Sequence, residues 1–340
     1  MRLGLLLPLL CLCFGCSRPP EVPLTVSESQ KKIEEKCREE FDMHVMTRRA
    51  DNTFWIYLPV QEPIFDYEAQ KETPAGGGEE RKQAKFALQY VDAAFKDRQF
   101  TLEYDVITRK KSLQEDYGFN SSYTDSYVKK QNNLFTAVSD VFFNTKAAAG
   151  EKLPEFFVLV ITDIKKGMET RSTFYLQDFK RYMTGDLPYD EYMKRFLADT
   201  KGGQGMIGDE TGTHLDYKPV VMTEFLSKQM ANRVRFKFQH SDFPPPDEYD
   251  TTVAGIAADT ARYYDFTDFK GVELRNLRQD KKFFFDKAKL TTLGDDAPFA
   301  NTGKPPKGKL IHIRFDNGET KIEEEPPSAE TNSASTQPAK

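Results

Sequence analysis

Residues 54–58 read Phe-Trp-Ile-Tyr-Leu, five apolar side chains in succession. A strand turns successive side chains to opposite faces, so a strand of this composition is buried on both sides. The segment therefore predicts a central strand in a sheet covered on both faces. A second run, "FFVLVI" at 156–161, is the longest clear apolar stretch of the body and is far too short to cross a membrane. It opens a segment through Leu176 that reads as a hairpin turning at Lys165-Lys166-Gly167. With 27 Phe and 15 Tyr in a chain only 39% hydrophobic, much of the core must be aromatic.

Around these strands the pattern alternates between helix and hairpin. Ser27 and Gln30 form a capping-box pattern for a helix through Phe41, with Cys37 in step with Ile33 and Phe41 on its apolar stripe. "MHVMTRR" and "NTFWIYLPV" follow as strands joined at Ala50-Asp51-Asn52. Ala84, Ala87, Leu88, Val91 and Phe95 mark a helix, "FTLEYDVIT" a strand, and Leu134, Val138, Val141 and Phe142 the stripe of a helix within 121–145. Tyr189, Tyr192, Met193, Phe196 and Leu197 give a further helix, and "GQGMIGDETGTHLDY" reads as a second hairpin. A helix over 223–232 runs into "RVRFKF", whose alternation favours a strand with Arg233, Arg235 and Lys237 on one face, continued helix being the other reading. After "PPPDE" come a helix carrying Val253, Ile256, Ala257, Thr260 and Ala261, then strands near 268–277 and 281–291.

No steady strand–helix–strand rhythm runs through the chain, so the expected class is α+β with mostly antiparallel or mixed sheets. The body spans 27–292 as one large or two medium domains, with a candidate boundary in the loop 71–79. Residues 293–308 read as a linker, 309–324 as a hairpin around Asp316-Asn317-Gly318, and 325–340 as a disordered tail without large apolar residues.

The first residues carry the clearest functional signal. Arg2 precedes about a dozen apolar positions, the length of a signal-peptide core. "LCFGC" follows, with Leu12 in an apolar slot, small Gly15, and then Cys16. This stretch resembles the lipobox of bacterial lipoproteins, with Cys13 and Phe14 where such motifs carry Leu, Ala or Ser. The resemblance implies removal of residues 1–15 as a signal peptide and acylation of Cys16, with palmitate among the attached chains. Ser17 after the cysteine, where the enteric sorting rule places Asp for inner-membrane retention, implies the outer membrane where the cell has one. Residues 16–26 are a Pro-rich tether holding the body within roughly 35 Å of the lipid. The expected location is thus the cell envelope, extracytoplasmic and periplasm-facing. Cys37 is then the one unmodified thiol, which removes any intrachain disulfide. The chain is acidic, −5 formally and −6 without Arg2, and has no polybasic block, which argues against nucleic acid as a partner.

Catalytic patterns are sparse. "GDETGTHLD" at 208–216 resembles the phosphoaspartate loop of P-type ATPases and their haloacid-dehalogenase relatives at Asp209, Thr211, Gly212 and Thr213. Glu210 replaces the lysine of that motif, His214 an apolar residue, and the "TGD" at 184–186 precedes rather than follows it. A glycine-bearing turn between strands is the simpler reading. Asp209, Glu210, His214 and Asp216 are also the candidate metal ligands, without a paired-histidine or paired-cysteine spacing. His44, His240 and His312 are isolated, with His312 facing outward from its strand by alternation, and Asp163 is read as a turn former at a strand end. The sequence thus implies no catalytic, cofactor or metal residue, and Cys16 alone as a modified site. The expected function is that of a non-enzymatic, membrane-anchored lipoprotein acting through contact with an envelope protein, in assembly, maintenance or transport. Two alternatives stand beside it: a binding protein for a ligand or glycan with an aromatic-lined cleft, and an anchored hydrolase with dispersed carboxylates.

Overall fold

The computed structural model describes residues 23–68, 86–108, 120–143, 145–239, 244–293, 311–316 and 319–324. Cys16, the signal segment, the tether up to residue 22, the loop 71–79, the linker from 294, the turn at 317–318 and the tail 325–340 lie outside the described residues. The fold is α+β, with helices between antiparallel and mixed sheets.

Helix α1 (Val26–Phe41) opens on a capping box two residues before the expected one. The Thr25 hydroxyl accepts from the Glu28 amide, and the Glu28 carboxylate accepts from the Thr25 amide. The chain continues through β1 (Met46–Ala50), β2 (Thr53–Val60), β3 (Phe65–Glu68), β4 (Phe86–Lys96), β5 (Gln99–Thr108), β6 (Asn120–Tyr123) and α2 (Asp125–Phe142). Then come β7 (Phe156–Asp163), β8 (Met168–Tyr175), α3 (Leu176–Met183), α4 (Tyr189–Arg195), β9 (Leu197–Gly202), α5 (Met222–Gln239) and α6 (Tyr249–Tyr263). The rest is β10 (Gly271–Asn276), β11 (Lys281–Asp286), α7 (Lys287–Leu290), β12 (Ile311–Asp316) and β13 (Glu319–Glu324).

Five strands form the first sheet in the order β1-β2-β7-β8-β9, with β2 and β7 parallel and the other pairs antiparallel. As its composition requires, β2 is buried on both faces and lies inside the sheet. On one face Phe54, Ile56, Phe157 and Leu159 pack against Ile33 and Cys37 of α1 and Leu134, Val138 and Phe142 of α2. Burial there pushes the Cys37 thiol up to about 12, so it is a core residue and not a nucleophile. On the other face Trp55, Tyr57, Val158 and Val160 are covered by Leu215, Tyr217 and Val220. The covering segment, 203–221, is a 3-10 turn at Gln204–Met206 followed by an irregular loop rather than the expected hairpin. Gly212 is required within it: its φ is 69°, and a Cβ there would collide with the Tyr217 hydroxyl and lie 3.0 Å from the Tyr57 ring.

The second sheet runs β11-β10-β5-β4, with β10 and β5 parallel. Its core comprises Phe100, Leu102 and Tyr104 of β5, Leu226, Met230, Val234 and Phe238 of α5, and Val253, Ala254 and Ala257 of α6. Two segments here differ from expectation. The helix read over 84–95 is strand β4, whose register shifts between Leu88 and Tyr90. That bulge puts Leu88 and Val91 on the same side, imitating a helical spacing before the alternation Val91, Ala93, Phe95 resumes. "RVRFKF" is the last part of helix α5, because Met230, Val234 and Phe238 recur every four residues and all are buried. Shorter corrections are the hairpin's last residue, Leu176, which begins α3, the start of β9 at Leu197, and the helical turn α7 after β11. The strands β12 and β13 pair antiparallel as expected. The two cores are interleaved in sequence, since β4 and β5 join the second sheet while β3, β6 and α2 on either side of them do not.

Candidate binding surface

Helix α4 stands where the two cores meet. Asp190 and Glu191 lie in its first turn and Lys194 and Arg195 in its last, both favourable to the helix dipole. Its inner face, Glu191, Tyr192 and Arg195, is buried, while Tyr189 is 59% exposed.

The inner face is fixed by a charged network. Arg195 is fully buried; its Nη1 donates to Asp178 Oδ1 at 2.8 Å and its Nε to Glu191 Oε1 at 2.9 Å. Arg233 of α5 donates from Nη2 to the same Glu191 oxygen at 2.6 Å. Both guanidinium groups lie 4.5 Å from the Tyr263 ring. The Tyr264 hydroxyl donates to Asp178 Oδ2 at 2.5 Å, and Gln229 Nε2 donates to the Arg195 carbonyl at 2.8 Å. Asp178 comes from α3, Glu191 and Arg195 from α4, Gln229 and Arg233 from α5, so the network joins the two cores. Burial pushes the Glu191 carboxyl up, but Arg233 and Arg195 outweigh it and hold the group below its ordinary value. Burial likewise pulls the Arg195 guanidinium down, and Asp178 leads the partners that raise it above its ordinary value.

A groove opens on each side of α4. The first, of about 460 Å³, lies between α2 and the α3–α4 pair. Phe135, Tyr182, Met183, Tyr189, Tyr192 and Met193 line it, and among the described residues no charged side chain does. Tyr182 and Tyr192 stack at 4.6 Å with planes 5° apart, giving it a rigid wall. The second, of about 650 Å³, shares Tyr189 and Met193, adds Phe236, Ile256 and Tyr263, and carries Asp190, Lys194, Lys237 and Asp259 among its charged residues. Aromatic and methionine side chains around one exposed tyrosine suit a partner's apolar side chains.

The enzyme-like loop is organised differently. His214 Nδ1 lies 2.6 Å from Asp209 Oδ2, and its Nε2 lies 2.6 Å from Glu169 Oε2 on β8. Asp209 also accepts from the Thr211 amide at 3.0 Å, the His214 amide at 2.9 Å and the Thr213 hydroxyl at 3.2 Å. The Tyr57 hydroxyl donates to the Asp209 carbonyl at 2.5 Å. Burial pulls the imidazole down, but the bonds to Glu169 and Asp209 outweigh it and raise its pKa. For Asp209 burial acts upward, and the His214 and threonine donors hold it well below the usual carboxylate range. Both ring nitrogens of His214 are engaged by carboxylates, which leaves neither free to serve as a base. Asp209 follows a 3-10 turn rather than a buried strand, and its oxygens are occupied by its own loop.

The structure brings Asp209 and His214 together; Glu210 and Asp216 are exposed, and Asp216 pairs with Lys218. Among the described residues no three His, Cys, Asp or Glu side chains are arranged to hold a metal ion. Asp163 caps its turn through the Lys165 and Lys166 amides, each at 3.0 Å. Thr184 and Asp186 close the turn between α3 and α4. His44 is exposed, His240 lies outside the described residues, and His312 is on β12, whose side chains are not described. Arg233, Arg235 and Lys237 go to different places: into the buried network, to the Val91 carbonyl at 3.2 Å, and into the second groove.

Asp178, Glu191 and Arg195 did not stand out in the sequence. Glu191 and Arg195 do share one side of α4 with Tyr192, a charged pair inside an apolar stripe, which is the one local signal available. No protein-family model matches the chain, and no curated protein or solved structure matches it either.

Proposed function

We propose that this protein is a non-enzymatic lipoprotein of the bacterial cell envelope, anchored through Cys16, that docks another envelope protein beside α4. The observation that carries the reading is the uncharged groove of about 460 Å³, walled by stacked tyrosines, with Tyr189 exposed at its rim. Such residues are enriched where proteins meet, because they bury large area at modest cost in side-chain entropy. The lipobox-like segment supports a location at a membrane surface, where the short tether keeps this groove close to neighbouring envelope proteins. An anchored hydrolase has less support, since the cluster of His214 with Asp209 and Glu169 is saturated internally. A small-ligand reading is favoured by the groove's aromatic lining and by its volume, which falls within the range of ligand sites.

The test is a photo-crosslinking amino acid placed at Tyr189 and, as control, at Lys282, in cells that retain Cys16. The expected result is a discrete protein adduct from position 189, absent from position 282 and lost when Met193→Asp is added. Equal adducts from both positions, or none from 189, would overturn the docking reading. A glycan or lipid adduct without protein would replace it with the small-ligand reading.

A further inference from the structure

A third cavity, of about 420 Å³, lies on the second face of the first sheet, away from the α4 grooves. Its floor follows the sheet register: Val158 pairs with Thr173, which pairs with Leu197, and all three line it. Trp55, opposite Val158 on β2, closes one end. Asp216 and residues 218–220 form one wall and Glu224, Phe225, Lys228 and Arg235 of α5 the other, so the trough lies between parts of both cores, a common place for ligand sites.

Two features of its lining point to one class of occupant. The first is charge. Each wall carries an acid with a base: Asp199 with Lys201 on β9, Asp216 with Lys218 on the loop, Glu224 with Lys228 on α5. Counting Asp92, Arg171 and Arg235, the lining holds five cations and four anions, and Arg171 is already matched by Glu169 at 2.9 Å. A balanced, alternating wall opposes a polyanion or a polycation and complements a ligand that carries both signs. The second feature is β9. It ends the sheet, residues 198–202 are exposed, and among the described residues its backbone makes no hydrogen bond on the side away from β8. Ala198 points to the opposite face from Leu197 and Asp199 yet lines the same cavity, so the trough wraps around this free edge. Unpaired strand amides and carbonyls select polypeptide, because another extended backbone satisfies them in register.

We propose that this trough binds a short extended peptide with alternating positive and negative side chains, added as a sixth strand beside β9. The six residues of β9 match about 20 Å of extended chain. The peptide's charged side chains take the face shared by Leu197, Asp199 and Lys201 and meet the charged lining, while its uncharged ones lie on the opposite face with Ala198.

The chain's single tryptophan, Trp55, lies in the trough and reports on it directly. The probe is acetyl-Glu-Val-Lys-Thr-Glu-Leu-Lys-amide, titrated while Trp55 emission is followed. Two control peptides replace all four charged residues by Glu or all by Lys. The expected result is a saturable change with the balanced peptide and binding about tenfold or more weaker with either control. Lys228→Glu should weaken the balanced peptide and tighten the all-Lys one. N-methylating alternate residues, in one or the other register, should abolish binding in at least one of the two peptides. Tyr189→Ala should leave the titration unchanged, which separates this site from the docking surface beside α4. No saturable response, equal responses to all three peptides, tolerance of both N-methylated peptides, or loss in Tyr189→Ala would each overturn the proposal.

Discussion

The Arg195 guanidinium lies between the carboxylates of Asp178 and Glu191, and the His214 imidazole between those of Asp209 and Glu169. Arg195 is fully buried and ties four helices of two cores together; His214 is 13% exposed and ties one loop to one sheet. The geometry is similar, but the chemistry of the central group differs. A guanidinium keeps its charge at any pH the folded protein meets, whereas an imidazole exchanges its proton near neutrality. The α4 surface therefore rests on a permanent joint, and the 203–221 loop on an adjustable one.

The most severe way to break this comparison is Arg195→Met. It takes the Arg195 guanidinium from buried Asp178 and leaves Glu191 to Arg233, and breaking a buried ion pair costs about 3–5 kcal/mol. Urea unfolding should show this loss, and it should be of similar size throughout the neutral range.

His214→Asn should cost less, about 1–2 kcal/mol near pH 6, from hydrogen bonds to charged groups. Its cost should also depend on pH. The folded-state pKa of His214 is raised, so its stabilisation is complete below the unfolded value of about 6.5 and is lost as pH rises through the folded value. Asp209 has the opposite sign: lowered in the fold, it stabilises above about 3.9 and loses this as pH falls through its folded value. The loop is thus held most firmly in mildly acidic solution. Wild type and His214→Asn should converge in stability as the solution becomes alkaline, and parallel curves would contradict the assignment.

An exposed pair sharpens the comparison from below. Asp268 lies 2.5 Å from Arg98, but both side chains are mostly in solvent. Asp268→Ala should change stability by less than about 0.5 kcal/mol at physiological salt. A cost like that of Arg195→Met would mean that burial is not what separates these pairs.

The parts of this architecture set by local pattern were legible from the sequence. The unbroken apolar run of β2 required a central strand, the β7–β8 hairpin followed from its turn, and the stripes of α1, α2 and α6 placed those helices. Segments whose local pattern fits two periods were not. The bulge in β4 gave a strand a helix-like spacing, and the alternation after Asn232 concealed the fourfold spacing of Met230, Val234 and Phe238. In the functional regions the same limit appears at longer range. Asp209 and His214 were visible as neighbours, but Glu169 lies 45 residues from His214 and joins them only because β8 passes beneath the loop. The Arg195 network needs the two cores docked, and no periodicity encodes that.

The central claim is that the proposed docking surface beside α4 is preformed and rigid while the 203–221 loop responds to pH. Amide hydrogen exchange, compared at about pH 6 and about pH 9 as protection factors corrected for intrinsic rates, tests it most directly. The account predicts unchanged protection in α3, α4 and α6, and loss of protection at the amides of Thr211, His214 and Leu215, which are bonded within the loop. Helices α3 and α4 loosening together with the loop, or a loop equally protected at both values, would contradict it.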